Sequence, residues 1–184
     1  RQDWVLTAAH IVKDAKKTVI NIDDDEIKVD RIIIHPKFVY NSSDGNDIAL
    51  MSLKSGVVIP EYPELYSEED EVGKICSISG YGITGTFETG SSISDNKRRA
   101  GKNVIDRIED NMLVCSPSKC DKINLEFMTA HGDSGGGLFI GKKIAGIHSC
   151  IFTRDKKANS DYGDWSGHVR ISKHRAWIIE RMKK

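Results

Sequence analysis

The sequence predicts an all-β protein, a sandwich or barrel of many short strands finished by one helix. Three observations predict it. β-branched runs of four to eight residues recur along the chain, Gly, Asn, Asp and Ser fill the gaps, and helical spacing of apolar residues occurs at the C-terminal end.

The first run covers residues 18–22. The second, 27–34, contains Ile27-Lys28-Val29-Asp30-Arg31-Ile32, whose alternation has the period of a half-buried strand. Residues 48–53 follow, then 74–79, 103–108 and 112–115, and finally 137–140, 143–149 and 167–171. Ser43-Asp44-Gly45-Asn46 and Thr84-Gly85-Thr86 supply turn chemistry between them. For the terminal helix, Ser172 reads as the N-cap and Trp177, Ile178 and Met182 recur at helical spacing. Arg181, Lys183 and Lys184 suit the negative end of the helix dipole. The acidic stretch 61–71, with Pro63, separates two groups of strands. It reads as the connection between a unit 1–70 and a unit 71–184, and equally as a solvated surface loop.

Composition narrows the classes of function. The chain has 184 residues, 39% of them hydrophobic, enough for a sizeable core. Lys plus Arg and Asp plus Glu number 27 each, so charge gives no reason to expect nucleic acid or an anionic membrane as partner. No apolar run approaches the ~18 residues of a spanning helix. The chain opens at Arg1-Gln2-Asp3-Trp4 without a Met, which points to a processed or truncated N-terminus. Cys76, Cys115, Cys120 and Cys150 lack the Cys-x-x-Cys spacing of a zinc site, and the sequence does not choose among their three pairings. Asp23-Asp24-Asp25-Glu26 lacks the spaced oxygen ligands of a calcium loop and reads as an acidic turn. No metal and no cofactor are expected.

Three short segments carry chemistry: Leu6-Thr7-Ala8-Ala9-His10, Asn46-Asp47-Ile48-Ala49-Leu50 and Gly132-Asp133-Ser134-Gly135-Gly136. Each is common by itself. Together they give the order His, Asp, Ser, one of three known for triad hydrolases. A serine hydroxyl is a weak nucleophile at neutral pH and needs a base beside it. His10 is the candidate base and Asp47 the group that fixes its tautomer. Glycines around Ser134 let backbone amides approach closely.

These segments resemble the trypsin/chymotrypsin-like serine protease family. So do Asp3-Trp4-Val5-Leu6, Ile34-His35-Pro36-Lys37-Phe38, Ser79-Gly80-Tyr81-Gly82, Gly146-Ile147-His148-Ser149 and Trp177-Ile178. Residues 80–106 resemble the secreted bacterial members. The spacings fit as well, 37 residues from His10 to Asp47 and 87 from Asp47 to Ser134. The resemblance implies two packed six-stranded antiparallel Greek-key barrels with a C-terminal α-helix, the first lacking its N-terminal strand. It implies catalysis by His10, Asp47 and Ser134, and an oxyanion hole from the amides of Gly132 and Ser134. Asp133 would pair with a freshly cleaved N-terminal amine. That amine lies outside residues 1–184, so this stretch by itself is expected to have little activity.

Some positions depart from the family. Ile11 and Ala130 stand where cysteines are usual, and the partner expected for Cys76, near Ile140, is not a cysteine, so the family's disulfide pattern does not transfer. Cys115 and Cys120 are close enough to close a short loop. The position that selects Lys or Arg substrates holds Met128, not an acid. The expected pocket residues are Met128, Thr129, His131, His148, Ser149, Ile151 and His168. Glutamate-specific members carry histidines at places similar to His148 and His168, and imidazoles can donate hydrogen bonds to a carboxylate or hold positive charge. The bland reading of this pair is two packed, neutral histidines. His35 and His174 read as surface or strand-end residues.

The reading is thus a monomeric serine endopeptidase, secreted or periplasmic by resemblance. Its partners would be polypeptide substrates and protein protease inhibitors. One rival is an α/β hydrolase, against which Gly135-Gly136-Gly137 is poor helix material after a nucleophile. The other is an inactive homologue kept as a binding or regulatory module.

Overall fold

Strand β1 (Trp4–Thr7) runs straight into a one-turn helix α1 (Ala9–Val12), and β2 (Val19–Ile22), β3 (Asp25–Ile34) and β4 (Ala49–Leu53) complete the first sheet. The computed structural model describes residues 1–22, 25–120 and 123–183; Asp23 and Asp24 of the acidic run lie outside the described residues. All pairings in this sheet are antiparallel, in the order β1-β4-β3-β2.

The short connector strand β5 (Glu64–Leu65) leads to β6 (Ile75–Gly80), the hairpin β7 (Thr84–Thr86) and β8 (Gly90–Ile93), then β9 (Arg99–Val104), β10 (Arg107–Glu109) and β11 (Met112–Cys115). The chain finishes with β12 (Gly137–Ile140), β13 (Lys143–Phe152), β14 (Trp165–Arg170) and α2 (Ile171–Arg181). The second sheet has eight strands, β10-β11-β14-β13-β12-β6-β9, with β5 added in parallel to β13. The fold is predominantly β, with two sheet groups and a C-terminal helix, as expected. By pairing, the fourteen strands among the described residues divide into sheets of four and eight, with β7 and β8 as a separate two-stranded hairpin.

Antiparallel register decides what meets what. Thr7 lies opposite Ala49, so the residues after β1 and those before β4 leave the first sheet at the same end. Those residues are Ala8-Ala9-His10 and Asp47-Ile48. Gly137 lies opposite Ile147, so the turn before β12 and the residues after Ile147 likewise share one end of the second sheet. They contain Ser134 and His148-Ser149. A shared core joins the halves, with Ala8, Ile48 and Leu50 packed against Ile144, Ile147, Val169, Ile171 and Ile178. Burying side chains of this size contributes ~1.5–3 kcal/mol each.

Several details differ from the sequence reading. Residues 103–108 are not one strand. Ile105 and Asp106 turn the chain between β9 and β10, with the Ser116 amide donating to Asp106 Oδ2 at 2.7 Å. Helix α2 starts at Ile171 with Arg170 as its N-cap, so Ser172 is not the cap. Its hydroxyl instead donates to Glu71 Oε1 at 2.8 Å. The 61–71 stretch is more than a solvated loop. It supplies β5, and Glu71, fully buried, forms a two-bond pair with Arg170 at 2.9 and 2.7 Å. His35 and His174 are buried, not superficial. Cys115 faces Cys76 across the second barrel, with sulfurs 3.8 Å apart, while Cys120 is exposed.

Candidate active site

His10 sits in α1, directly after Ala8 and Ala9, both fully buried. Those small side chains let the turn sit tightly on the first sheet and aim the ring at Asp47. Asp47 Oδ1 accepts the His10 backbone N–H at 2.8 Å, and Oδ2 lies 2.6 Å from His10 Nδ1. Ser149 donates its hydroxyl to the same Oδ2 at 2.7 Å. Ser149 can do this because β13 carries a register shift between His148 and Cys150, which frees it from pairing with β14.

Burial of Asp47 alone would raise its pKa. The hydrogen bonds from the His10 ring, Ser149 and the His10 amide outweigh burial and leave it below the usual carboxylate value. Ionised Asp47 can only accept, so His10 Nδ1 carries the proton and Nε2 presents a lone pair.

Ser134 lies on a tight turn whose neighbours Gly132 and Gly135 have φ of +99° and +82°. Gly135 donates to the His148 carbonyl at 2.8 Å and His148 returns a bond to Gly136 at 2.9 Å. Among the described residues, the amides of Gly132 and Ser134 donate to no protein backbone acceptor outside the regular elements. Asp133 points away, buried, with Oδ1 accepting from Gly82 at 2.7 Å and Oδ2 from Ala130 at 2.8 Å. A Cβ on Gly80 would fall 1.8 Å from Asp133 Oδ1, so only glycine fits against this carboxylate.

His10, Asp47 and Ser134 line one cavity of about 400 Å³. Among the described residues no hydrogen bond joins Ser134 Oγ to His10; such contacts are often long before substrate binds. Of the expected pocket residues, Thr129, His131, His148, Ser149 and Ile151 line the cavity. Met128 does not, and faces a neighbouring cavity beside Phe127 and Tyr162. His168 does not either; it is fully buried behind His148, with the two Nδ1 atoms 2.9 Å apart.

The histidine pair is uncharged at neutral pH. Burial pushes His148 down to about 4 and His168 well below its ordinary value. This matches the reading of two packed, neutral histidines and leaves no standing positive charge to receive a substrate carboxylate. Ser166 Oγ lies 2.9 Å from His168 Nε2 and donates to the Cys115 carbonyl at 3.2 Å. With Ser166 donating there, His168 Nε2–H donates to Ser166 and His148 Nδ1–H donates to His168. This leaves His148 Nε2 as a lone pair. It makes no hydrogen bond among the described residues, and the Ser79 backbone opposes the effect of burial on His148 without reversing it.

Known proteins can be set beside this geometry. The Trypsin family model matches residues 1–178. The chain belongs to the trypsin family of serine proteases. It is 28% identical over 216 aligned residues to serine protease SSP1 of Scolopendra subspinipes, covering 98% of this chain and 70% of that protein. It is 31% identical over 207 residues to chymotrypsin-like elastase family member 1 of Macaca fascicularis, covering 97% and 74%. Trypsin eta of Drosophila melanogaster is 30% identical over 172 residues, covering 79% of this chain and 62% of that one. These three relatives are animal proteins, so they lend no support to a bacterial origin. Among solved structures, neuropsin, a serine protease expressed in the limbic system of mouse brain, superposes with a TM-score of 0.78. It is 22% identical and the match covers 98% of this chain and 85% of that one, a likeness of fold. Homology to the family supports a protease function.

Sequence reasoning missed part of the cavity wall. Phe38, Tyr40, Asn41, Ser42 and Ser43 come from the loop before Asp47, and Cys150, Phe152 and Ala158 from β13 and the loop after it. The β13 residues were within reach of the sequence, since they follow His148-Ser149 directly. The loop residues were not, because turn chemistry alone does not say which way a loop folds.

Proposed function

We propose that the chain is a serine endopeptidase acting through an acyl-enzyme on Ser134, with His10 as general base and acid and Asp47 as its orienting carboxylate. One observation carries the reading. The His10–Asp47 pair and the Ser134 turn, from different sheets, open into one cavity beside two amides with no backbone acceptor outside the regular elements.

The chemistry follows from that arrangement. Ser134 Oγ attacks the scissile carbonyl carbon while His10 Nε2 takes its proton. Negative charge on the carbonyl oxygen is met by the N–H groups of Gly132 and Ser134; one such donor is typically worth about 10²–10³ in rate. The C–N bond breaks as His10 protonates the leaving amine. Water then attacks the ester, giving its proton to His10, and Ser134 recovers the proton as the acid leaves. Ionised Asp47 stabilises the imidazolium formed in both halves. Asp133, held by Gly82 and Ala130, steadies the turn from behind, and its pairing with a cleaved N-terminal amine belongs to the same proposal.

The pocket supports a substrate preference other than Lys or Arg. Thr129, Ala130, His148 and Ile151 line it and Met128 stands outside. A Glu side chain before the scissile bond would meet a neutral His148, so binding it as a carboxylate would favour proton uptake by that ring. Secretion, a monomeric state, recognition by protein inhibitors and the units 1–70 and 71–184 complete the proposal. No helix among the described residues is long and apolar enough to cross a membrane.

A panel of peptides varying only before the scissile bond tests it. Cleavage that S134A abolishes, with Lys and Arg disfavoured and Glu favoured more at pH 5.5 than at pH 8, is expected on this pocket chemistry. Cleavage after Lys or Arg as the preferred sites would overturn the pocket assignment.

A further inference from the structure

The three-residue approach to Asp47 is held from outside the cavity by a residue of the terminal helix. His174, in the first turns of α2 and almost fully buried, places Nε2 2.7 Å from the Gly45 carbonyl. The ring therefore donates there, which fixes its tautomer at Nε2–H. Gly45 sits where no other residue fits. Its φ is +73°, and a Cβ on it would fall 2.8 Å from the Asn111 carbonyl oxygen and 2.9 Å from that of Asp110.

On the other flank stands His35, just beyond β3. Its ring packs edge-on against His174 at 4.8 Å and against Trp177 at 4.9 Å. Its amide donates to the Ile48 carbonyl at 3.0 Å, and Ile48 donates back to Asn46 at 2.8 Å. Residues 45–48 are thus clamped between α2, the β10–β11 hairpin and the end of β3. Asp47 is the side chain of this stretch that reaches His10.

We propose that His174 is a positioning residue, which through Gly45 holds the Asp47 peptide in register with His10; this rests on the proposed triad. The physical reason is the buried Gly45 carbonyl. Replacing the donor by an apolar ring leaves that oxygen unsatisfied, and the loop can recover a partner only by moving. A displacement of about 1 Å is enough to cost on the order of 10² in rate, and the Asp47 contacts at 2.6 and 2.8 Å have no slack to absorb it. Titratable and charged groups facing this cluster are His35 and Asp44, with Lys37 acting on His35. Burial holds both rings below their ordinary pKa, so neither competes for the bond as a cation at neutral pH.

The test compares His174→Phe, which keeps ring bulk, with His174→Gln, which keeps a side-chain N–H donor of similar reach. Steady-state kinetics, the acid limb of kcat/KM and the NMR resonance of the His10 Nδ1 proton are read on each. For H174F the expected result is kcat lower by roughly 10² with KM nearly unchanged. The acid limb should move to lower pH, because a loosened Asp47 stabilises the His10 imidazolium less. H174Q should restore most of the rate. If H174F does not fold, His174→Asn, one methylene shorter than Gln, takes its place. Folded H174F with wild-type kcat and acid limb, or H174Q as slow as H174F, would overturn the proposal. The His10 proton separates this failure from failure of the triad. In a wild type that cleaves nothing, its loss in H174F still supports positioning, and its persistence unchanged refutes it.

Discussion

Ser149 Oγ lies 2.7 Å from Asp47 Oδ2, the oxygen that also faces His10 Nδ1 at 2.6 Å. The hydroxyl donates, so it stabilises the carboxylate and leaves the His10 proton pointing at a charged partner. It also ties the bulge of β13 in the second sheet to a loop of the first. The proposed triad is therefore braced across the boundary between sheets, not within either one.

Removing that hydroxyl should be felt in turnover. Ser149→Ala deletes one of the three bonds that hold the Asp47 pKa down, so the carboxylate becomes easier to protonate and less fixed in place. A hydrogen bond to a charged group contributes about 1.5–3 kcal/mol, so kcat/KM should fall by about ten- to a hundredfold. The acid limb of the pH–rate profile, measured beside the wild type, should change with it. An unaltered rate and profile would show that the bond does nothing for His10.

The connector offers a stability test. Glu71 is fully buried, and burial alone would raise its pKa, yet the bonds from Arg170 and Ser172 leave it below the ordinary value. Glu71→Ala leaves the Arg170 guanidinium buried without its main partner, which should cost about 3–5 kcal/mol. Urea unfolding at neutral pH checks this. A loss under about 1 kcal/mol would mean that Arg170 finds water or Glu69 instead.

Acid should destabilise the protein well before its carboxylates titrate. His35 and His148 have folded pKa values of about 4 against 6.5 for the free group, burial being the main cause. Above pH 6.5 both states hold them neutral. Between 6.5 and about 4 the unfolded chain binds protons that the folded one refuses, so stability falls as pH falls. Glu71 and Asp47, with depressed folded values, begin to lose their contribution as pH falls through the free values of 4.5 and 3.8, at the low end of that window. Urea midpoints should drop steeply from pH 6.5 to 4, and His35→Phe, which keeps a ring against Trp177, should flatten the slope. A flat wild-type curve would contradict the buried-neutral assignment.

The fold class was legible because two kinds of information are local. Alternation in residues 27–32 marks a strand wherever it goes, and the Gly-rich turn at Ser134 is a poor helix start. The order His, Asp, Ser added what no single motif carries. Other features needed the third dimension. Ser172 reads as an N-cap by type, but its hydroxyl bonds Glu71, a residue 101 positions away. His35 and His174 read as surface or strand-end residues; His35 does follow the end of β3, but nothing local says that Trp177 and Gly45 close around the two rings. The bulge that turns Ser149 to Asp47 is set by pairing with β14 and is invisible in Gly146-Ile147-His148-Ser149 itself. His148 and His168 were paired by resemblance, and only burial reveals that they are neutral.

The most direct test of the central claim is the reaction of the folded protein with a fluorophosphonate, followed by intact mass and peptide mapping. The account predicts one adduct, on Ser134, in the wild type. It predicts labelling slowed on the order of 10⁴ by Asp47→Asn, which keeps shape but reverses the tautomer preference of His10. A folded wild type with no adduct on Ser134, or labelling indifferent to Asp47, would contradict it.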